Sequence, residues 1–292
     1  MSAESSRPES APTPLLLGLI GSGIQASRTP SMHEREARAH GLSCTYRLLD
    51  LDVLGHGAEF LPTLLRAAER AGFAGLNVTH PCKQSVIPQL TALDDDARAI
   101  GAVNTVVLRA GTRTGYNTDW SAFRASIQHG LPDAALRRVV QLGAGGAGAA
   151  TAYAILALGA QRLEIVDTEP ARAAALAQRL AVRFPGRVLA AEASRAALAS
   201  ADGLIHATPV GMAAHPGVAL PAEWLHERLW VAEVVYFPLE TQLLKAARAR
   251  GCRTLDGAGM AVWQAVEAFR LFTGLAANPE RMRRFFDEAG TR

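Results

Sequence analysis

Cysteine is scarce in this chain: Cys44, Cys82 and Cys252 lie far apart and form no C-x-x-C pair. That usage argues against a disulfide framework or a zinc cage and fits a reducing, cytoplasmic setting. His33-Glu34 opens like a zinc helix, but Ala37 stands where the second histidine would be needed, so no metal is expected. Aromatic residues make up only 6% of the chain. No block of basic residues is interleaved with them, which argues against a nucleic-acid partner. Charge is nearly balanced, 30 basic against 27 acidic side chains. No apolar run reaches the ~18 residues that a membrane span requires. Residues 1–14 lack a basic stretch and are rich in Ser, Pro and Glu, the composition of a disordered tail.

What is present is an α/β chain. At 292 residues and 49% hydrophobic, it is long for one core and fits two domains. Short apolar runs at 15–20, 45–50, 75–78 and 105–108 read as strands. Helical patterns over 30–40, 59–71, 94–100 and about 119–129 alternate with them, which predicts a mostly parallel sheet. A second alternating series runs from Val139 to Leu255, and helices are expected over 259–273 and 279–288. The domains are therefore placed at 15–120, completed by 259–292, and at 121–258.

The second series opens with the stretch that organises the rest. A short buried strand at Val139–Leu142 leads into Gly143-Ala144-Gly145-Gly146-Ala147-Gly148, then an alanine-rich helix to Gly159, then a strand ending on Asp167. Strand, G-x-G-x-x-G turn, helix, strand and acid make the dinucleotide-binding βαβ unit, with the acid near the expected spacing of about 20 residues. Gly143 permits the tight turn, Gly145 lets a pyrophosphate approach the backbone, and Gly148 lets helix and strand pack closely. The helix N-terminus offers N–H groups and a positive dipole end to phosphate. A carboxylate at Asp167 accepts from a ribose 2′-OH and repels a 2′-phosphate. NAD is therefore the expected cofactor; NADP is disfavoured, although Arg172 lies close enough to serve as a phosphate clamp.

Polar residues gather where the first domain's strands end: Ser27-Arg28-Thr29-Pro30, NVTHPCK at 77–83, GAVNT at 101–105 and GYNTD at 115–119. Ligands in open α/β sheets bind beyond the carboxyl ends of strands. Each loop also has a plainer reading as a turn, and Asn117 and Asp119 as helix caps. Together with GAGGAG at 143–148, ATPVGM at 207–212, VYFPLET at 235–241 and DGAGMAVWQA at 256–265, these segments resemble the shikimate/quinate dehydrogenase family over nearly the whole chain.

That resemblance implies two domains, an α/β substrate domain and a Rossmann-type domain, flanking a cleft in which a ring hydroxyl of a polyhydroxylated carboxylate is oxidised. It implies Lys83 and Asp119 as the catalytic pair, and Ser27, Thr29, Asn77, Thr79, Asn104, Tyr236 and Gln264 as substrate residues. Thr208, Pro209, Met212 and Gly257 join the glycine turn and Asp167 at the cofactor. The chemistry agrees: hydride leaves a carbinol carbon only as its hydroxyl loses a proton, so a positioned base is needed. Two departures are informative. Thr29 replaces the family's common serine and Ala26 its histidine, as in the branch that also accepts quinate. Val166-Asp167-Thr168 stands where NADP-dependent biosynthetic members tend to carry Asn-Arg-Thr. Both favour an NAD-dependent quinate/shikimate dehydrogenase, monomeric or homodimeric. The alternatives are an NADP-dependent biosynthetic enzyme, an aminoshikimate-type paralogue, and a dinucleotide-sensing binding protein.

Overall fold

A computed structural model describes residues 14–289, so the tail expected over 1–14 lies, but for Pro14, outside the described residues. The first half of the chain builds one six-stranded sheet. Three neighbouring parallel strands are β1 (Leu15–Gly21), β2 (Cys44–Asp50) and β3 (Gly75–Val78). Between these strands run α1 (Thr29–Ala39), the single turn α2 (Leu51–Leu54) and α3 (Leu61–Arg70). Pro30 and Pro62 stand in the first turns of α1 and α3, where a missing N–H breaks no helical bond. The one-turn helix α4 (Cys82–Ser85) follows a cis His80–Pro81 bond. Then come β4 (Ala92–Leu93), α5 (Asp95–Ile100), β5 (Thr105–Arg109), β6 (Thr112–Tyr116) and α6 (Thr118–Gly130).

The strand order is β2-β1-β3-β5-β6-β4. β5 is antiparallel to both β3 and β6, while the other pairings are parallel, so the sheet is mostly parallel with one reversed strand. The β5–β6 hairpin leaves no mark in the sequence pattern. Its turn is Ala110-Gly111, at φ 49 and φ 75, instead of the Asn-Gly or Asp-Gly pair that signals such turns. Because β5 runs backwards, its first residue is level with the ends of its neighbours: Thr105 lies opposite Asn77 on one side and Tyr116 on the other. One edge of the sheet thus receives the ends of β1, β3 and β6 and the start of β5.

The second sheet is wholly parallel. It comprises β7 (Arg138–Leu142), α7 (Gly146–Ala157), β8 (Arg162–Val166), α8 (Pro170–Ala181), β9 (Val188–Ala190), α9 (Arg195–Ala199), β10 (Gly203–His206), β11 (Trp230–Glu233), α10 (Gln242–Ala249) and β12 (Arg253–Leu255). Its order, β12-β11-β10-β7-β8-β9, is the doubly wound one, with the crevice where strand order reverses between β7 and β10. Helix α7 is buried around its whole circumference, from Gly148 to Leu156, because α6 covers the face that β7 and β8 do not; Phe123 and Ile127 of α6 share a core with Tyr153 and Ile155. Leu198, Leu243 and Leu244 fill the opposite face.

Two helices, α11 (Ala258–Thr273) and α12 (Pro279–Ala289), return to the first sheet. Phe272 packs so closely there that a β-carbon on Gly75 would lie 2.2 Å from its ring. Met32, Phe269, Met282 and Phe286 close this core. Glu36 of α1, wholly buried, clasps α12: it accepts from the Asn278 N–H at 2.8 Å and from two guanidinium N–H groups of Arg281 at 2.6 Å each. Burial opposes ionisation of this carboxyl, but Arg281, the Asn278 amide and His40 outweigh it and hold the group below its usual 4.5. The two halves are braced where the Tyr153 hydroxyl donates to Asp96 at 2.5 Å and Arg179 to the Ile100 carbonyl at 3.1 Å. Among the described residues, no helix is long and apolar enough to cross a membrane.

Candidate active site

Lys83 sits on the single turn α4, just past β3, and Asp119 in the first turn of α6, just past β6. They are 36 residues apart in sequence, yet Lys83 Nζ donates to Asp119 Oδ2 at 2.6 Å, with side chains only 17% and 7% exposed. The carboxylate is held from its other side, where Asn104 Nδ2 donates to Oδ1 at 2.9 Å. Asn104 is in turn fixed by the Thr118 N–H, which donates to its Oδ1 at 2.7 Å. Asn117 takes the capping role: its Oδ1 accepts from the Asp119 and Trp120 N–H groups, and its amide donates to the Ala102 carbonyl. The two acidic or amide candidates for a helix cap have divided the work, Asn117 capping the start of the helix and Asp119 facing the lysine.

The other substrate candidates reach the same edge. Ser27 and Thr29 follow β1, with the Thr29 N–H donating to Ser27 Oγ at 3.3 Å. Thr79 is stitched beside them, its N–H donating to the Ile20 carbonyl, and Gly21 leaves room for its methyl. Gln264 lies on α11, whose backbone carbonyl at that residue accepts from the Thr118 hydroxyl. Tyr236 is 39% exposed in the loop after β11. The packing around its phenol pushes it above the usual 10, with the Asp119 carboxylate adding to the shift, so it stands within the field of the catalytic candidates. Asn77 is as buried as Asn104 and Asp119, its amide accepting from the Tyr46 hydroxyl at 2.8 Å and donating to Thr105 Oγ1 at 3.1 Å. Tyr46, Thr105 and Thr118 are members of this network that the sequence reading passed over. Thr105 and Thr118 stand inside the GAVNT and GYNTD motifs, but Tyr46 lies in β2 with nothing local to mark it.

The cofactor candidates meet this edge directly. Gly143, at φ +103, sits at the end of β7, and a β-carbon there would be 2.4 Å from the Ala207 carbonyl. Gly148 approaches the Gly143 carbonyl so closely that its β-carbon would lie 2.2 Å away, while the same atom on Gly145 would face open space. Only a side-chain-free turn can hold this shape and still admit a pyrophosphate to the backbone. The N–H groups opening α7 have no partner within their own helix. Ala144 and Ala147 complete the turn. The Gly146 position abuts Lys83: a β-carbon would be 3.0 Å from Lys83 Cβ and 3.1 Å from its Cδ. Glycine turn and lysine are thus in van der Waals contact.

At the far end of the turn, Asp167 Oδ2 accepts from the Ala144 N–H at 2.8 Å and Oδ1 from the Glu169 N–H at 2.9 Å. The Thr168 hydroxyl also lies 3.5 Å from Oδ1, so it is Oδ2 that keeps a lone pair for a ribose hydroxyl. Arg172 is tied instead to Glu169 at 2.8 Å, both well exposed. Thr208, Pro209 and Met212 lie past β10 on the other side of the crevice, where the Thr208 methyl approaches Gly143. Gly257, before α11, touches the Val234 and Val235 carbonyls. The described residues fit a dinucleotide in shape and in charge.

Two family models match the chain: the shikimate dehydrogenase substrate binding domain over residues 19–106 and the shikimate 5'-dehydrogenase C-terminal domain over 257–284. A shikimate dehydrogenase (NADP(+)) of Streptomyces avermitilis is 60% identical over 277 residues, 94% of each chain. A quinate/shikimate dehydrogenase (NAD(+)) of Corynebacterium efficiens is 49% identical over 276 residues, 93% of this chain and 97% of that one. Among solved structures, a quinate dehydrogenase from Corynebacterium glutamicum in complex with NAD aligns with a TM-score of 0.87 at 49% identity, covering 94% of this chain and 99% of the other. On motif order, fold and these relatives alike, the chain belongs to the shikimate dehydrogenase family.

Proposed function

We propose that this chain is an NAD-dependent dehydrogenase that interconverts quinate or shikimate with the 3-dehydro ring acid. The reading rests above all on the 2.6 Å Lys83–Asp119 pair lying against the glycine turn at Gly146. Bound NAD would accept the hydride from the ring carbinol carbon. Lys83 takes the hydroxyl proton as that hydride leaves, and Asp119, itself anchored by Asn104, fixes the amine and the hydroxyl in line. Ser27 and Thr29 would bind the ring carboxylate, with Thr79, Asn104, Tyr236 and Gln264 around the hydroxyls. Asn77, held by the Tyr46 hydroxyl and Thr105 Oγ1, joins them there. Residues 15–120 with 259–292 act as the substrate domain, and 121–258 as the cofactor domain.

Relatives of high identity bear both NADP and NAD in their names, so the chain's own residues decide between them. An acid at Asp167, already bonded to the turn, and a clamp candidate, Arg172, engaged with Glu169 both favour NAD. The test is a side-by-side assay of quinate and shikimate with each cofactor. Reduced nicotinamide should form with at least one ring acid, faster with NAD. Silence in all four combinations would refute the reading, and faster turnover with NADP would return the chain to the biosynthetic alternative. Asp167→Ala is expected to shrink the NAD preference by about tenfold, because it removes one charge-assisted hydrogen bond to the ribose and one repulsion of the 2′-phosphate. The measurement is kcat/KM for both cofactors; an unchanged ratio would detach Asp167 from the ribose.

A further inference from the structure

Two titratable side chains lie fully buried at the crevice, and the proposed chemistry uses neither. His206, 1% exposed, ends β10; Glu233, 2% exposed, ends the neighbouring β11. His206 Nδ1 is 2.9 Å and 3.0 Å from the two carboxylate oxygens of Glu233. Its Nε2 is 2.6 Å from Thr208 Oγ1. Glu233 also accepts from the Val235 N–H at 3.0 Å and from the Thr241 hydroxyl at 3.0 Å. A carboxylate buried without donors would be costly, and this one has three, so the network is fully satisfied and rigid.

Its reach matters more than its stability. At one end, Thr208 belongs to the loop whose Ala207 carbonyl and Thr208 methyl pack against Gly143 of the glycine turn. At the other, Val235 packs on Gly257 and is followed by Tyr236. Thr241 caps α10 and touches Gly211, so the two loops also meet directly. We propose that His206 and Glu233 are a positioning pair, locking the cofactor-side loop through Thr208 and the substrate-side loop through Val235 so that the two close on one geometry. This rests on the dehydrogenase reading and adds residues to it. With Nδ1 on the Glu233 carboxylate and Nε2 on the Thr208 hydroxyl, the His206 ring ties the two together and fixes the orientation of Thr208 before any ligand arrives.

The substitutions that separate the two ends are available. His206→Asn retains a donor for Glu233 but cannot reach Thr208, whereas His206→Gln places its amide toward Thr208 and abandons Glu233. Thr208→Val removes the same bond from the less buried side, and Thr208→Ser keeps it. NADH binding is read by fluorescence titration, and KM and kcat by assay with quinate. His206→Asn and Thr208→Val should each weaken NADH binding roughly 5- to 10-fold, the size of one lost hydrogen bond. The double variant should be no weaker than either single, because both break one bond. Thr208→Ser, which keeps the hydroxyl but loses the methyl near Gly143, should bind NADH more tightly than Thr208→Val, and His206→Gln should raise KM for the ring acid more than it weakens NADH. Unaltered NADH binding in Thr208→Val, or singles whose effects multiply in the double, would overturn the pairing. A wild-type chain that binds no NADH would instead bring down the dehydrogenase reading itself. If His206→Asn fails to fold, the contrast between Thr208→Ser and Thr208→Val still decides.

Discussion

Lys83→Met is expected to lower kcat by about 10²- to 10⁴-fold, the range found for a positioned proton-transfer group, while NADH affinity stays within about twofold of wild type. Methionine is the informative replacement because the lysine stem packs against the start of α7 at Gly146. Alanine would open a void beside the glycine turn and mix lost chemistry with lost packing. Methionine keeps an unbranched apolar stem in that contact and removes only the amine. Asp119 is left with its Asn104 bond, so its orientation survives. Single-turnover absorbance at the reduced-nicotinamide band, beside an NADH titration, separates the two effects. A kcat near wild type would remove Lys83 from proton transfer. A joint collapse of affinity and kcat would mean that the side chain serves the cofactor cradle instead.

How much of this site the sequence discloses depends on how local its physics is. The glycine turn, its helix and Asp167 fall within one βαβ unit, and each has a mechanical reason for its residue type, so the unit is legible from spacing alone. Lys83 and Asp119 are not joined by any local rule. They meet because β5 reverses between β3 and β6, and the Ala110-Gly111 turn that permits the reversal carries no conventional signal. Only the resemblance to a family named the pair in advance. It helps that Lys83 is one of just two lysines in an arginine-rich chain, the other being Lys245. Tyr46 and Glu233 were invisible for a different reason. A tyrosine or glutamate inside a strand reads as ordinary strand composition until its hydrogen-bond partner, 31 residues away for Tyr46 and 27 for Glu233, is placed beside it.

Arg281→Met should destabilise the fold by about 3 kcal/mol at neutral pH, since it strips the guanidinium from a carboxylate that cannot reach water. Glu36 would keep the Asn278 N–H and His40, which places the loss at the lower end for a broken buried pair. Against a total stability of about 5–15 kcal/mol, that is a fall of roughly 5–10 °C in Tm. The damage extends to the site because α12 also supports its rim: Arg28 donates to the Phe286 carbonyl at 3.2 Å and lies 4.5 Å over that ring, and Tyr236 packs 6.3 Å from the same ring. A loosened α12 therefore predicts a higher KM for the ring acid with NADH affinity unchanged. The pH dependence identifies the cause. In wild type Glu36 titrates below its usual 4.5, so its contribution is complete above that value and is lost as pH falls through the lower, folded one. In the variant, burial without the guanidinium favours the neutral acid, so the folded state takes up a proton readily. The stability gap between the two proteins should then narrow steadily as pH drops from 7 toward about 4.5 in denaturant titrations. A gap independent of pH would assign the loss to packing of the arginine stem rather than to the stranded charge.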